Sequence, residues 1–131
     1  MNLRDAKVLV TGGHGFLGRH VVETLKARGV EPITFRSAQC DLRDWKQTEA
    51  LFAETRPDVV IHIAWTGGGI GYMRNHPGSI ARDNTLMACH VFEASRAFGA
   101  QKVVGVGSVC SYPKFTEVPF REEDLWLGYP E

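Results

Sequence analysis

Residues Lys7 to Gly18 read Lys-Val-Leu-Val-Thr-Gly-Gly-His-Gly-Phe-Leu-Gly, and this stretch decides the fold. Lys7 to Thr11 is a short β-branched apolar run of the kind that forms a buried strand, and Phe16 to Arg28 places Leu17, Val21 and Leu25 on one helical face before Gly29 ends the segment. The glycines between them satisfy G-x-G-x-x-G through Gly13, Gly15 and Gly18, and G-x-x-G-x-x-G through Gly12, Gly15 and Gly18. Such a turn joins a strand to a helix tightly, lets backbone amides approach a pyrophosphate, and offers the free N–H groups and partial positive charge of a helix start. Gly12, His14, Gly15, Phe16, Leu17 and Gly18 are therefore candidate cofactor-binding residues.

Outward from this unit the pattern repeats. Pro32 to Phe35 reads as a second strand, Trp45 to Thr55 as a helix capped by Asp44 with Gln47 as reciprocal partner, and Asp58 to Ile63 as a third, nearly all-apolar strand. A glycine-dense loop follows at Gly67 to Gly71. A long helix from about Gly78 to Phe98 carries the stripe Ile80, Met87, Val91, Ala94 and Phe98, with Asn84 lying in it. Lys102 to Val106 is a fourth strand, and the chain from Ser108 reads as loop. Strands alternating with helices predict an α/β fold: a Rossmann-like doubly wound parallel sheet in the order 3-2-1-4, forming one cofactor-binding domain over residues 1–131.

At the end of the second strand an acidic residue would select NAD by bonding the ribose 2′-hydroxyl; the chain has Phe35, Arg36 and Ser37 instead. Arg36 can pair with a 2′-phosphate, which favours NADP(H), or it is a solvated surface arginine. Asp41 and Leu42 border the adenine or, for Asp41, form a turn.

Composition excludes several classes. The 131 residues carry 15 Lys+Arg against 15 Asp+Glu, so no basic excess marks a nucleic-acid partner. The longest run without a charged residue, Val59 to Met73, is too short to span a bilayer, so no membrane partner is expected. Cys40, Cys89 and Cys110 are widely spaced and odd in number, which predicts neither a disulfide framework nor a metal site and suits the cytoplasm. Cys40 and Cys89 read as packing residues, and His62 and His90 as core or surface residues.

The loop at residues 11–18 resembles that of the extended short-chain dehydrogenases/reductases, the NAD(P)-dependent sugar-nucleotide epimerases and dehydratases. Gly67-Gly-Gly-Ile70, Asn75-His-Pro77, Asp83-Asn84 and Gly107-Ser-Val-Cys-Ser-Tyr-Pro-Lys114 are similar to segments of that family's GDP-L-fucose synthase branch, and Pro119 to Glu131 continues the likeness. The resemblance implies a GDP-sugar substrate, epimerised at C3 and C5 and reduced at C4 by NADPH. It implies Ser108 as the serine that hydrogen-bonds the C4 oxygen and Cys110 as the proton-exchanging cysteine. Ile63, Ala64 and Trp65, past the third strand, are assigned to the cofactor as well.

The branch reduces its ketone with a Tyr-x-x-x-Lys pair, which these 131 residues do not contain. The expectation is an N-terminal cofactor-binding part, truncated before the later strands and substrate domain, without reductase turnover alone. It would self-associate along the exposed fourth strand as a homo-oligomer or be of low stability, or be completed by a partner chain. Two other readings stand beside it: a non-catalytic nucleotide-binding module or split-protein half, and an epimerase/dehydratase of another sugar nucleotide carrying UDP or dTDP.

Overall fold

A computed structural model describes residues 2–130. Its elements are β1 (Val8–Thr11), α1 (Phe16–Ala27), β2 (Ile33–Thr34), α2 (Trp45–Thr55), β3 (Val59–His62), α3 (Ile70–Asn75), α4 (Pro77–Ala97) and β4 (Lys102–Gly105), followed by short 3-10 turns at Val109–Ser111 and Glu122–Trp126. The four strands form one parallel sheet. Val8, Leu9, Val10 and Val60 are sealed within it, as strands covered by helices on both faces must be.

The strand order is β2-β1-β3-β4, which corrects the expected 3-2-1-4. The reason lies in which face each helix covers. Leu25 of α1 packs with Val8, Val10 and Val59 on one face. On the other, Phe52 of α2 joins Leu9, Cys40, Leu42 and Val60 with Met87, Val91 and Ala94 of α4. Right-handed crossovers on opposite faces travel in opposite directions across a sheet. The chain therefore moves from β1 to β2 one way, then back past β1 to β3.

Four local departures have local causes. β2 is shorter than predicted because the chain turns at Arg36, whose carbonyl accepts the N–H groups of Gln39 (2.8 Å) and Cys40 (3.2 Å). Within the predicted glycine loop, only the first three glycines precede α3; Gly69 caps it and the Met73 N–H donates to Gly69 O at 3.1 Å. Pro77 lacks an N–H to continue α3 and instead occupies the first turn of α4. Cys40 is buried as predicted, its thiol pKa pushed up mainly by burial, whereas Cys89 is exposed. Two residues beyond buried Met87, Cys89 falls about 200° around α4, on the solvent side.

Among the described residues no strand pairs with the outer edge of β4, and Val104 and Val106 are exposed beside it. Among the described residues, no helix is long and apolar enough to cross a membrane, and no group of three or more His, Cys, Asp or Glu side chains could hold a metal ion.

Candidate functional site

Because the crossovers run in opposite directions from β1, the chain leaves the carboxyl ends of β1 and β3 toward opposite faces, and a crevice opens between them. Thr11 and His62 are the last register pair on its floor. Thr11 is fully buried and its hydroxyl is saturated. Oγ1 accepts the N–H groups of Ile63 and Ala64, both at 3.2 Å, and lies 2.7 Å from His62 Nδ1. With both lone pairs engaged, the hydroxyl proton goes to Nδ1, which leaves the imidazole neutral with its proton on Nε2. Burial pushes the His62 pKa down in agreement. The unfolded chain takes up that proton first, so this site contributes stability above about pH 6.5 that is lost as pH falls.

Thr11→Val keeps the shape but strands the Ala64 N–H and an imidazole nitrogen, while the Ile63 N–H retains the Thr11 carbonyl at 3.3 Å. It should lower unfolding free energy by about 1–3 kcal/mol, measured by urea titration.

Gly12 continues from Thr11 with φ +69°, the left-handed region, and passes so close to the neighbouring strand end that a Cβ there would lie 2.7 Å from Ala64 N. The chain then turns, with Gly15 N–H donating to Gly12 O at 2.9 Å, and enters α1. The first backward helical bond is Arg19 N–H to Gly15 O, 3.1 Å. The N–H groups of Phe16, Leu17 and Gly18 therefore have no partner among the described residues, no side chain caps the helix, and its first turn holds no acid. Gly18 lets this start press onto the turn, since a Cβ would lie 2.7 Å from Gly13 Cα. The arrangement suits an anion.

Two clefts meet over this turn, sharing Gly12, Gly15, Ala64 and Trp65 in their walls. The first, about 690 Å³, also takes in Phe16, Leu17, Gly18, His62, Ile63 and Ser108. The second, about 420 Å³, takes in His14, Arg36, Asp41, Leu42 and Arg43. Every glycine-loop and strand-end residue assigned to the cofactor from the sequence thus lines one cleft or both, as does Ser108, whereas Gly13 lines neither. Cys110 lines neither. It is exposed on the turn Val109–Ser111, where its N–H donates to Ser108 Oγ at 3.1 Å. A separate hollow of about 850 Å³ between Pro113 and Pro130 shares no residue with the two clefts.

Charge divides the two arginines of the smaller cleft. Arg43 is held by Asp41 at 2.7 Å and by Asp83 at 3.0 Å, and Arg82 holds the other oxygen of Asp83. The guanidinium of Arg82, then that of Arg43, keeps the Asp83 carboxyl below the usual carboxylate range; Arg43 does the same for Asp41. The Asp41 carboxylate also accepts the Arg43 N–H at 2.9 Å, the turn contact anticipated from its residue type. Arg36 makes no ion pair among the described residues and is exposed, so its charge is available to a ligand.

Thr11, His62 and Asn84 are site residues that sequence reasoning did not assign. A threonine closing an otherwise apolar strand and an asparagine inside an apolar helical stripe were the available signals. The Asn84 amide binds both backbone groups of Thr66, accepting its N–H at 2.8 Å and donating to its carbonyl at 2.7 Å.

The profile of the NAD dependent epimerase/dehydratase family matches residues 8–130. GDP-L-fucose synthase of Azorhizobium caulinodans is 34% identical over 125 residues, covering 95% of this chain and 40% of that protein. The Sinorhizobium fredii enzyme of the same name is 32% identical, covering 98% and 41%. The crystal structure of a GDP-L-fucose synthetase from Naegleria fowleri bound to NADP superposes with a TM-score of 0.86 at 32% identity, covering 100% of this chain and 40% of that one. The chain thus spans about 40% of the length of these relatives. Strand order, glycine turn and sequence agree: the chain belongs to the NAD dependent epimerase/dehydratase family.

Proposed function

We propose that this chain is the NADP(H)-binding part of an epimerase/reductase acting on a 4-keto-6-deoxy-mannose carried on GDP. The observation that carries the reading is the pair of clefts joined over an anion-ready helix start, with an unpaired arginine at one end and a serine hydroxyl at the other. The residues present fit a phosphorylated dinucleotide. The N–H groups of Phe16, Leu17 and Gly18 would hold its pyrophosphate, Arg36 its 2′-phosphate, and Leu42 and Asp41 the edge of its adenine, while Ile63, Ala64 and Trp65 would wall the passage to the second cleft.

Bound NADPH would supply hydride at the Ser108 end. Ser108 Oγ accepts the Cys110 N–H and keeps its own proton to donate to a sugar carbonyl oxygen. Cys110, on the turn that Ser108 caps, is the thiol proposed to exchange protons beside that carbonyl. The 131 residues contain no Tyr-x-x-x-Lys pair, so tight cofactor binding rather than turnover is the property proposed for them. A second copy or a completing chain along the β4 edge belongs to the same proposal.

Calorimetric titration of the purified chain tests it. NADPH should bind and NADH should bind more weakly, with GDP-sugar preferred over UDP- and dTDP-sugars when each is added to the NADPH complex. Absence of NADPH binding would overturn the reading.

A further inference from the structure

Asp83 on α4 is 5% exposed and lines neither cleft, yet it carries a charge. Burying a carboxylate is costly, and apolar residues of similar volume often stabilise a fold as well or better, so stability alone does not account for its place. Its partners lie at the surface: Arg82 binds Oδ1 through Nε and Nη2, and Arg43, from the other side of the smaller cleft's wall, binds Oδ2 through Nη1 at 3.0 Å. Arg43 also binds the Asp41 carboxylate, with Nε at 2.9 Å and Nη2 at 2.7 Å, and both residues line that cleft. One planar guanidinium therefore spans from a helix to a cleft wall, a reach that a point charge could not match. The wall is fixed at successive residues, because the Asp41 N–H donates to Gln47 Oε1 at 2.9 Å and His90 Nδ1 of α4 donates to the Leu42 carbonyl at 2.8 Å. Oδ1 of Asp41 takes both the Arg43 backbone N–H and Nε, whereas Oδ2 takes Nη2 and only a longer, shared contact from Nε at 3.2 Å. A carboxylate offers about four acceptor sites, so Oδ2 keeps one for a ligand at the cleft wall.

We propose that Asp83 is a positioning residue: acting through Arg43, it holds the Asp41 carboxylate so that its open acceptor site meets the amino group of the ligand's base. This rests on the cofactor reading above, and it gives the smaller cleft a preference for an amino base over one with a keto oxygen at the same place, which the carboxylate would repel. The unsubstituted chain should bind NADPH about tenfold more tightly than deamino-NADPH, the factor equivalent to about 1.4 kcal/mol for one hydrogen bond to a charged group. In Asp83→Asn the amide oxygen should stay with Arg82, which makes two bonds to its side, and turn an NH2 donor toward Arg43. Arg43 is then released, and the preference should fall to about twofold or less. Loss of the carboxylate also leaves more positive charge behind the cleft, and charge alone would make both phosphorylated coenzymes bind more tightly with the preference unchanged. Arg43→Lys keeps the cation but cannot bridge two carboxylates, and should lose the preference in the same way. The double variant should lose no more than either single one, as residues acting in one relay do. Arg82→Gln leaves the Arg43 bridge in place and should keep the preference.

Calorimetry supplies the affinities and circular dichroism shows that each variant is folded; Arg43→Lys, at the surface, carries the test if Asp83→Asn does not fold. Equal affinity of the unsubstituted chain for NADPH and deamino-NADPH, or an unchanged preference in Asp83→Asn or Arg43→Lys, would overturn the inference while leaving the cofactor reading intact. If the unsubstituted chain fails to bind NADPH by calorimetry, the cofactor reading falls and this inference falls with it.

Discussion

Gly12→Ala should cost the protein about 2–5 kcal/mol of unfolding free energy, a large share of the roughly 5–15 kcal/mol a domain has. Two penalties add at this position. The backbone sits at φ +69°, where a Cβ costs about 1–2 kcal/mol. The new Cβ would also press on the Ala64 backbone, 2.7 Å from N and 2.8 Å from Cα. Neither atom can swing aside as a side chain would, because the Ala64 N–H is tied to Thr11, so an overpacking cost of about 1–3 kcal/mol follows. Gly99→Ala provides the control. It has φ +78° with open space around it and should show the conformational penalty alone. Urea unfolding should give a lower midpoint for Gly12→Ala at unchanged slope. NADPH binding should be lost along with it, since the Gly12–Ala64 contact is where the two clefts join.

Arg36→Ala should weaken NADPH by roughly 10- to 150-fold, the equivalent of about 1.5–3 kcal/mol for a charge-assisted bond, and leave NADH within a few-fold. The guanidinium is exposed on the smaller cleft and engaged with no carboxylate among the described residues, so its removal leaves no stranded charge in the fold. Arg43 is a poor replacement, because its Nε, Nη1 and Nη2 each already donate to Asp41 or Asp83, whose carboxylates offset its charge. The affinity difference between the coenzymes should shrink as salt is raised in the unsubstituted chain and be flat in the variant. Equal loss for both coenzymes would instead indicate that the turn at Arg36, not its charge, had been disturbed.

What could be read in the sequence was whatever is written locally. The β1–turn–α1 unit shows itself because an apolar run, a glycine spacing and a helical stripe follow one another within about thirty residues. The Asp44 cap is equally local, its Oδ1 accepting the Lys46 N–H at 2.8 Å and that of Gln47 at 3.3 Å. The reciprocal contact is made between side chains, Gln47 Nε2 donating to Asp44 Oδ2 at 3.1 Å, while Gln47 Oε1 accepts the Asp41 N–H rather than that of Asp44. Strand order was not legible, because the face chosen by α2 depends on Phe52, Cys40 and Leu42 finding Met87 and Val91 far along the chain. The Thr11–His62 bond joins residues 51 apart, and neither residue type announces it. α3 was hidden by the glycines before it and inside it, whose low helix propensity is outweighed once Gly69 caps the turn. Ser108 and Cys110 were close in sequence, but only Ser108 came to a cleft wall.

The sheet also distributes rigidity unevenly across the site. β1 is paired along both sides and wholly buried, whereas β2 holds on by two register pairs, Leu9 with Ile33 and Val10 with Thr34. Opening free energies within a domain fall from the core strands toward weakly paired edges, so backbone amides of β1 exchange with solvent last and those around β2 early. The glycine turn hangs from the slowest-exchanging strand and Arg36 follows the one that frays first. A dinucleotide spanning both would be anchored at its pyrophosphate from the most protected strand, while the arginine proposed to choose between coenzymes would be offered from the least protected one.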